Sequence, residues 1–75
     1  MIRILLSIRL GERRWTQSTL AKKTGIRAAT INELYNEVAD RVSLKQLDKI
    51  CEALECDLPD LLERKADDPD RYKRG

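Results

Sequence analysis

An all-α fold, one compact domain of five short helices, is what this chain predicts, and three observations carry it. Aliphatic residues recur at helical i, i+3, i+4 spacing through most of the 75 residues. Three glycines and two prolines leave little turn material for a β-sandwich. A composition that is 41% hydrophobic and 37% charged, with one Trp, two Tyr and no Phe, suits a soluble domain with an aliphatic core. A chain this short buries only ~60% of its unfolded surface, so stability is modest unless it oligomerises. One domain is expected over residues 1–64, followed by a mobile charged tail over residues 65–75.

From the N-terminus, Ile2 and Ile4 flank Arg3 ahead of Leu5, Leu6, Ile8 and Leu10. Two readings fit. Residues 2–4 form a short strand or extended arm, with a helix over about residues 5–13, or the helix starts at Ile2. The β-branched pair Ile2 and Ile4, and the i, i+4 spacing of Leu6 and Leu10, favour the arm. Such an arm could touch a second copy or pack on its own domain. Glu12, Arg13 and Arg14 close the helix, and Trp15 is expected to pack between it and the next element.

Past a central pair of helices, residues 36–42 read as a loop. Ser43 with Gln46 three residues on is a capping-box signature. Leu44, Leu47, Ile50, Cys51 and Leu54 make the inward stripe of that helix, and Lys45, Asp48, Lys49, Glu52 and Glu55 its solvated face. Asp57 is expected to cap a final short helix that tolerates Pro59 in its first turn, with Leu58, Leu61 and Leu62 closing the core. In the tail only Tyr72 is apolar enough to anchor anything.

The rest of the chain is organised around residues 16–36. Leu20, Ala21 and Thr24 share one side of a first helix, and Ile31, Leu34 and Tyr35 one side of a second. Gly25 falls where the first must stop, because a left-handed residue there carries no Cβ penalty. Thr16 can cap the first helix, and Ala21 is small enough for the second to cross closely. Two helices joined through such a turn make a helix-turn-helix.

On Gln17, Ala21, Gly25 and Ile31, and on the run Leu20-Ala21-Lys22-Lys23-Thr24-Gly25, this segment resembles the helix-turn-helix of the Cro/CI-type (Xre-type) bacterial and phage transcription regulators. The resemblance implies a Cro/CI repressor-like domain of five short helices over roughly residues 4–64. It implies a sequence-specific regulator of transcription that binds double-stranded DNA as a homodimer.

In such a motif the second helix, here about residues 28–36, lies in the major groove. Its outward set is Ala28, Ala29, Asn32, Glu33 and Asn36. Asn32 can pair bidentately with adenine and Glu33 can accept from cytosine, while Ala28, Ala29 and the Thr30 methyl admit a thymine methyl. Phosphate candidates are Thr16 and Gln17 at the start of the first helix, Lys22, Lys23, Thr30, Arg41, and Arg27, which stands where the family often has Ser. Each cation among them also reads as an ordinary solvating group. The Ala-Ala start of the second helix is a thin base-reading inventory, and Glu33 and Glu37 bring negative charge near the face.

Charge is uneven along the chain. Residues 1–35 hold seven Lys/Arg against two Glu, and residues 36–75 hold eight Lys/Arg against eleven Asp/Glu. The basic half contains the motif, as a phosphate-binding face needs, although plain surface solvation gives the same imbalance.

Other classes fare worse. Cys51 and Cys56 with no His cannot close a tetrahedral zinc site, and a disulfide between them would strain a helix end. Reduced thiols in the cytoplasm are the simpler expectation. The N-terminal apolar run is too short, and too interrupted by Arg3 and Arg9, for a membrane span or signal peptide. No cofactor or small-molecule ligand is evident. Without His, a Gly-rich phosphate loop or a nucleophile beside a base, an enzyme is not expected. The competing reading is a protein-interaction adaptor or antitoxin-like module on the same fold with weak DNA binding.

Overall fold

The computed structural model describes residues 1–66. A short strand β1 (Ile2–Ile4) leads into α1 (Leu6–Arg13), α2 (Gln17–Thr24), α3 (Ala28–Tyr35), α4 (Leu44–Leu54) and α5 (Leu58–Leu61). A second strand, β2 (Leu62–Arg64), then runs antiparallel to β1. The five helices fall where apolar spacing puts them. The all-α expectation is corrected by the two-stranded sheet, which also settles residues 2–4 as strand.

The sheet has a local cause at each end. Ile2 and Ile4 resist helix through their branched Cβ atoms. Leu62, expected to close the core, does so from an extended conformation (φ −123°, ψ 138°) after a single turn of α5. Pairing Arg3 with Glu63 and Ile4 with Leu62 places Ile4 in the core and Leu62 against it. The ladder runs on to Lys65, whose N–H donates to the Met1 carbonyl at 2.8 Å, so the tail proposed from residue 65 begins within paired structure. Residues 67–75 of that tail lie outside the described residues.

All five helices feed one aliphatic core. Leu6, Leu10, Leu20, Ile31, Ile50, Leu54 and Leu61 are almost fully buried, with Ile4, Ile26, Leu34 and Leu47 close behind. Two expectations fail here. Leu44 is 80% exposed and Leu58 48% exposed, although both continue an inward stripe. Each opens its helix, and the stripe there runs one turn past the elements that cover Leu47 and Leu61. Trp15 and Cys51, by contrast, are half-buried against the core as expected.

Helix ends are closed by backbone geometry rather than by glycine alone. Arg14 (φ 57°), Glu37 (φ 57°) and Glu55 (φ 51°) are left-handed. Each lets the next residue reach back five positions: Trp15 N–H to the Leu10 carbonyl, Val38 to Glu33, and Cys56 to Cys51. These are Schellman closures made by residues that bear a Cβ in an unfavourable region. At the helix starts, the Ser43 hydroxyl accepts from Gln46 N–H at 3.3 Å, and the Asp60 carboxylate accepts from Asp57 N–H at 3.0 Å.

Glu37 has a second task. Its carboxylate receives both Arg3 Nε (2.7 Å) and Arg3 Nη2 (3.0 Å), and one oxygen also accepts Ile4 N–H at 3.0 Å. One side chain from the α3 end thus clamps β1, so Glu37 serves the arm. The bond to Arg3, then that to Ile4 N–H, holds its pKa below the ordinary glutamate value.

Glu55→Gly should raise stability by ~0.5–1 kcal/mol, because glycine accepts the left-handed conformation freely. Gly25→Ala, with open space around the added Cβ but φ at 74°, should cost about 1 kcal/mol. Urea midpoints of the two variants measure both. The Glu37 clamp is complete above the ordinary glutamate range and is lost as pH falls through its depressed value. An NMR titration of the Ile4 amide should therefore show a midpoint below that of glutamate in a short peptide, and none in Glu37→Gln.

Candidate nucleic-acid interface

The α2–α3 pair is fixed from three sides. Gly25 N–H donates to the Ala21 carbonyl at 2.8 Å, stopping α2 as expected. Thr24 Oγ1 donates back to the Leu20 carbonyl at 2.8 Å and accepts Ile26 N–H at 3.2 Å, which carries the chain through the turn. Ile26 plugs into the core beyond it. Leu20 and Ile31, both at 0% exposure, leave the two helices no freedom to roll, since either would expose an aliphatic side chain.

With that packing set, the outward surface of α3 is determined. Ala28, Ala29, Asn32, Glu33 and Asn36 are all exposed, while Ile31 and Leu34 point inward and Tyr35 and Thr30 are intermediate. Arg27 caps α3 by its extended backbone and makes no side-chain cap bond, leaving its guanidinium exposed at the helix start.

Thr16 caps α2 as its sequence position implies. Its hydroxyl accepts Thr19 N–H at 3.1 Å and lies 3.0 Å from the Thr19 hydroxyl. Gln17 is the residue that joins the two helices at the surface. Its Oε1 accepts from Asn32 Nδ2 at 3.2 Å, across a separation of 15 residues. One N–H and the carbonyl of the Asn32 amide remain, which is what a bidentate adenine contact uses.

Other sequence candidates are placed less favourably. Asn36 spends its amide on its own helix, donating to the Asn32 carbonyl at 3.0 Å. Lys23 holds its ammonium 5.0 Å from the centre of the Trp15 ring, and Arg13 stands 5.5 Å from the same ring. Lys22 is exposed on α2, and Arg41 is exposed in the loop between α3 and α4. Glu33 stays on the exposed face, the one carboxylate within α3. Sequence reasoning missed the cations gathered on Trp15, because ring stacking leaves no spacing signature. It also missed Arg13 Nη2 donating to the Leu54 carbonyl, which fixes α1 against the end of α4.

What the face offers chemically is a short, small-residue helix start with the exposed Asn32 amide, beside a helix N-terminus whose capping is in place. Among the described residues no cluster of three or more His, Cys, Asp and Glu could hold a metal ion, and no helix is long and apolar enough to cross a membrane.

Comparisons with known proteins bear on the family and the fold. The family model of the Cro/C1-type HTH DNA-binding domain matches residues 6–67. The HTH-type transcriptional regulator YozG of Bacillus subtilis (strain 168), itself uncharacterised, is 34% identical over 65 residues, which span 87% of this chain and 77% of YozG. The crystal structure of a Bacteroides fragilis protein, named for a proposed DNA-binding role, aligns with a TM-score of 0.74 and 27% identity. That alignment covers 84% of this chain and 100% of the other. Matched by the family model from α1 through β2, and built around a capped, glycine-stopped α2 and an outward-facing α3, the chain belongs to the Cro/C1-type helix-turn-helix family.

Proposed function

We propose that this protein is a sequence-specific DNA-binding regulator of transcription that sets α3 in the major groove and binds as a homodimer. The Gln17–Asn32 hydrogen bond carries this reading, because it ties the α2 residue assigned here to phosphate to the α3 residue assigned here to a base. Asn32 reads adenine, Glu33 accepts from cytosine, and Ala28 and Ala29 let the backbone come close to a thymine methyl. Asn36 contributes through its remaining carbonyl. Phosphates are met by Thr16 and Gln17 at the α2 N-terminus, with Lys22, Lys23, Arg27, Thr30 and Arg41 around them.

An eight-residue α3 with so few base readers specifies little on its own. Two copies on inverted half-sites about 34 Å apart double the inventory and the phosphate contacts. The adaptor reading loses one support, since Glu37, counted against DNA from sequence, is paired with Arg3. Reduced thiols at Cys51 and Cys56 suit a cytoplasmic site of action.

Fluorescence anisotropy against the protein's own promoter and a scrambled duplex, at several salt concentrations, tests the reading. Promoter binding should be tighter and should fall steeply with salt, with two protomers per duplex. Equal, weak binding to both duplexes at every salt level would overturn it. Asn32→Ala should cost about 1–3 kcal/mol and relax preference at one base pair. Gln17→Ala should weaken binding to all sequences and, through the lost bond, part of the preference as well. The two effects should therefore be non-additive in a double-mutant cycle, and strict additivity would show that the bond does not organise Asn32.

A further inference from the structure

We propose that the groove between α4 and α5 docks a cationic amphipathic helix of a partner protein, on a surface separate from the α2–α3 face. This does not rest on the DNA reading. The groove has a volume of about 690 Å³ and is lined on its apolar side by Leu44, Leu47, Cys51 and Leu58, so it can take side chains of a partner. Leu44 and Leu58 are the two core expectations that the fold leaves uncovered, at 80% and 48% exposure. Two large aliphatic side chains facing water across one depression mark a binding site more than isolated exposure does.

Charge selects the occupant. Every ionisable carboxyl or amine lining the groove is a carboxylate, from Asp48, Glu52 and Glu55 on α4 to Asp57 and Asp60 by α5. Asp48, Glu52 and Glu55 form no ion pair with any described residue. The apolar side stays uncharged. Burial first, then Cys56, Asp48 and Asp57, push the Cys51 thiol pKa up. A second copy presenting this same face would bring two sets of carboxylates together, and DNA phosphates would be repelled. A segment with Lys or Arg flanking an apolar stripe satisfies both the charged and the apolar lining.

The occupant's backbone is constrained too. The groove is walled by helices and offers no strand edge, so an extended peptide would find no ladder for its N–H and C=O groups. A helix satisfies its own backbone and lays one apolar face into the groove.

The test uses the full chain, labelled with ¹⁵N, and a synthetic 15-residue helix with leucines at i and i+4 flanked by arginines. Amide signals of Leu44, Asp48, Glu52 and Leu58 should move on titration, with affinity that falls as salt rises. The same peptide with glutamates for arginines should not bind. The double variants L44S/L58S and D48K/E52K should each lose at least tenfold in affinity while keeping the wild-type circular dichroism, since all four residues are exposed. The proposal is overturned if the cationic helix shifts other signals or none, or if the variants bind as tightly as wild type. It is equally overturned if sedimentation shows a dimer that L44S/L58S dissolves, because the groove then belongs to a second copy.

Discussion

Everything the surface can do depends on Leu20 and Ile31 packing across the Gly25 turn. Both are at 0% exposure in a core that includes residues from all five helices and β1. In a chain this small each such side chain is worth ~1.5–3 kcal/mol, a large share of any plausible total. Their burial therefore acts as a rotational lock. It sets which side of α3 faces out, and from that follow the exposure of Asn32 and Glu33 and the approach of Asn32 to Gln17. The turn itself is over-determined by one left-handed glycine and two bonds through Thr24 Oγ1. Little conformational entropy remains to be lost when the face meets a partner.

The uneven charge along the chain becomes a spatial division of labour. Cations near the motif, Lys22, Arg27 and the Lys23–Trp15–Arg13 stack, belong to the first half of the sequence. Carboxylates collect on α4 and at the start of α5. An uneven charge distribution of this kind orients an approaching polyanion before contact. The Arg3–Glu37 clamp adds to this arrangement by neutralising a carboxylate at the end of α3 and by keeping β1 on its own domain.

Much of this was legible in the sequence, and what was not has physical reasons. Helix positions could be read because Leu6 and Leu10, Ile31 and Leu34, and Leu47, Ile50 and Leu54 carry their periodicity locally, and Thr16, Gly25 and Ser43 punctuate it. β2 could not, since three residues Leu-Glu-Arg have no alternation to speak of and their partner lies some 60 positions away. The exposure of Leu44 and Leu58 escaped for a related reason: a stripe tells which way a side chain points, not whether anything covers it. Glu37 looked like a charge on the wrong face because its pairing with Arg3 depends on a left-handed backbone that no local signal announces. At the site, the identity of the exposed α3 residues followed from periodicity, whereas the Gln17–Asn32 bond is a product of helix crossing and could not.

On this reading the locked α2–α3 face, and not another surface, meets DNA. The most direct measurement is an amide chemical-shift map of the ¹⁵N-labelled protein titrated with a promoter duplex. Signals of Thr16–Ser18 and of Ala28–Glu33 should move together while those of Asp48, Glu52 and Leu58 stay still. Shifts concentrated on α4 and α5, or spread evenly over the molecule, would contradict it.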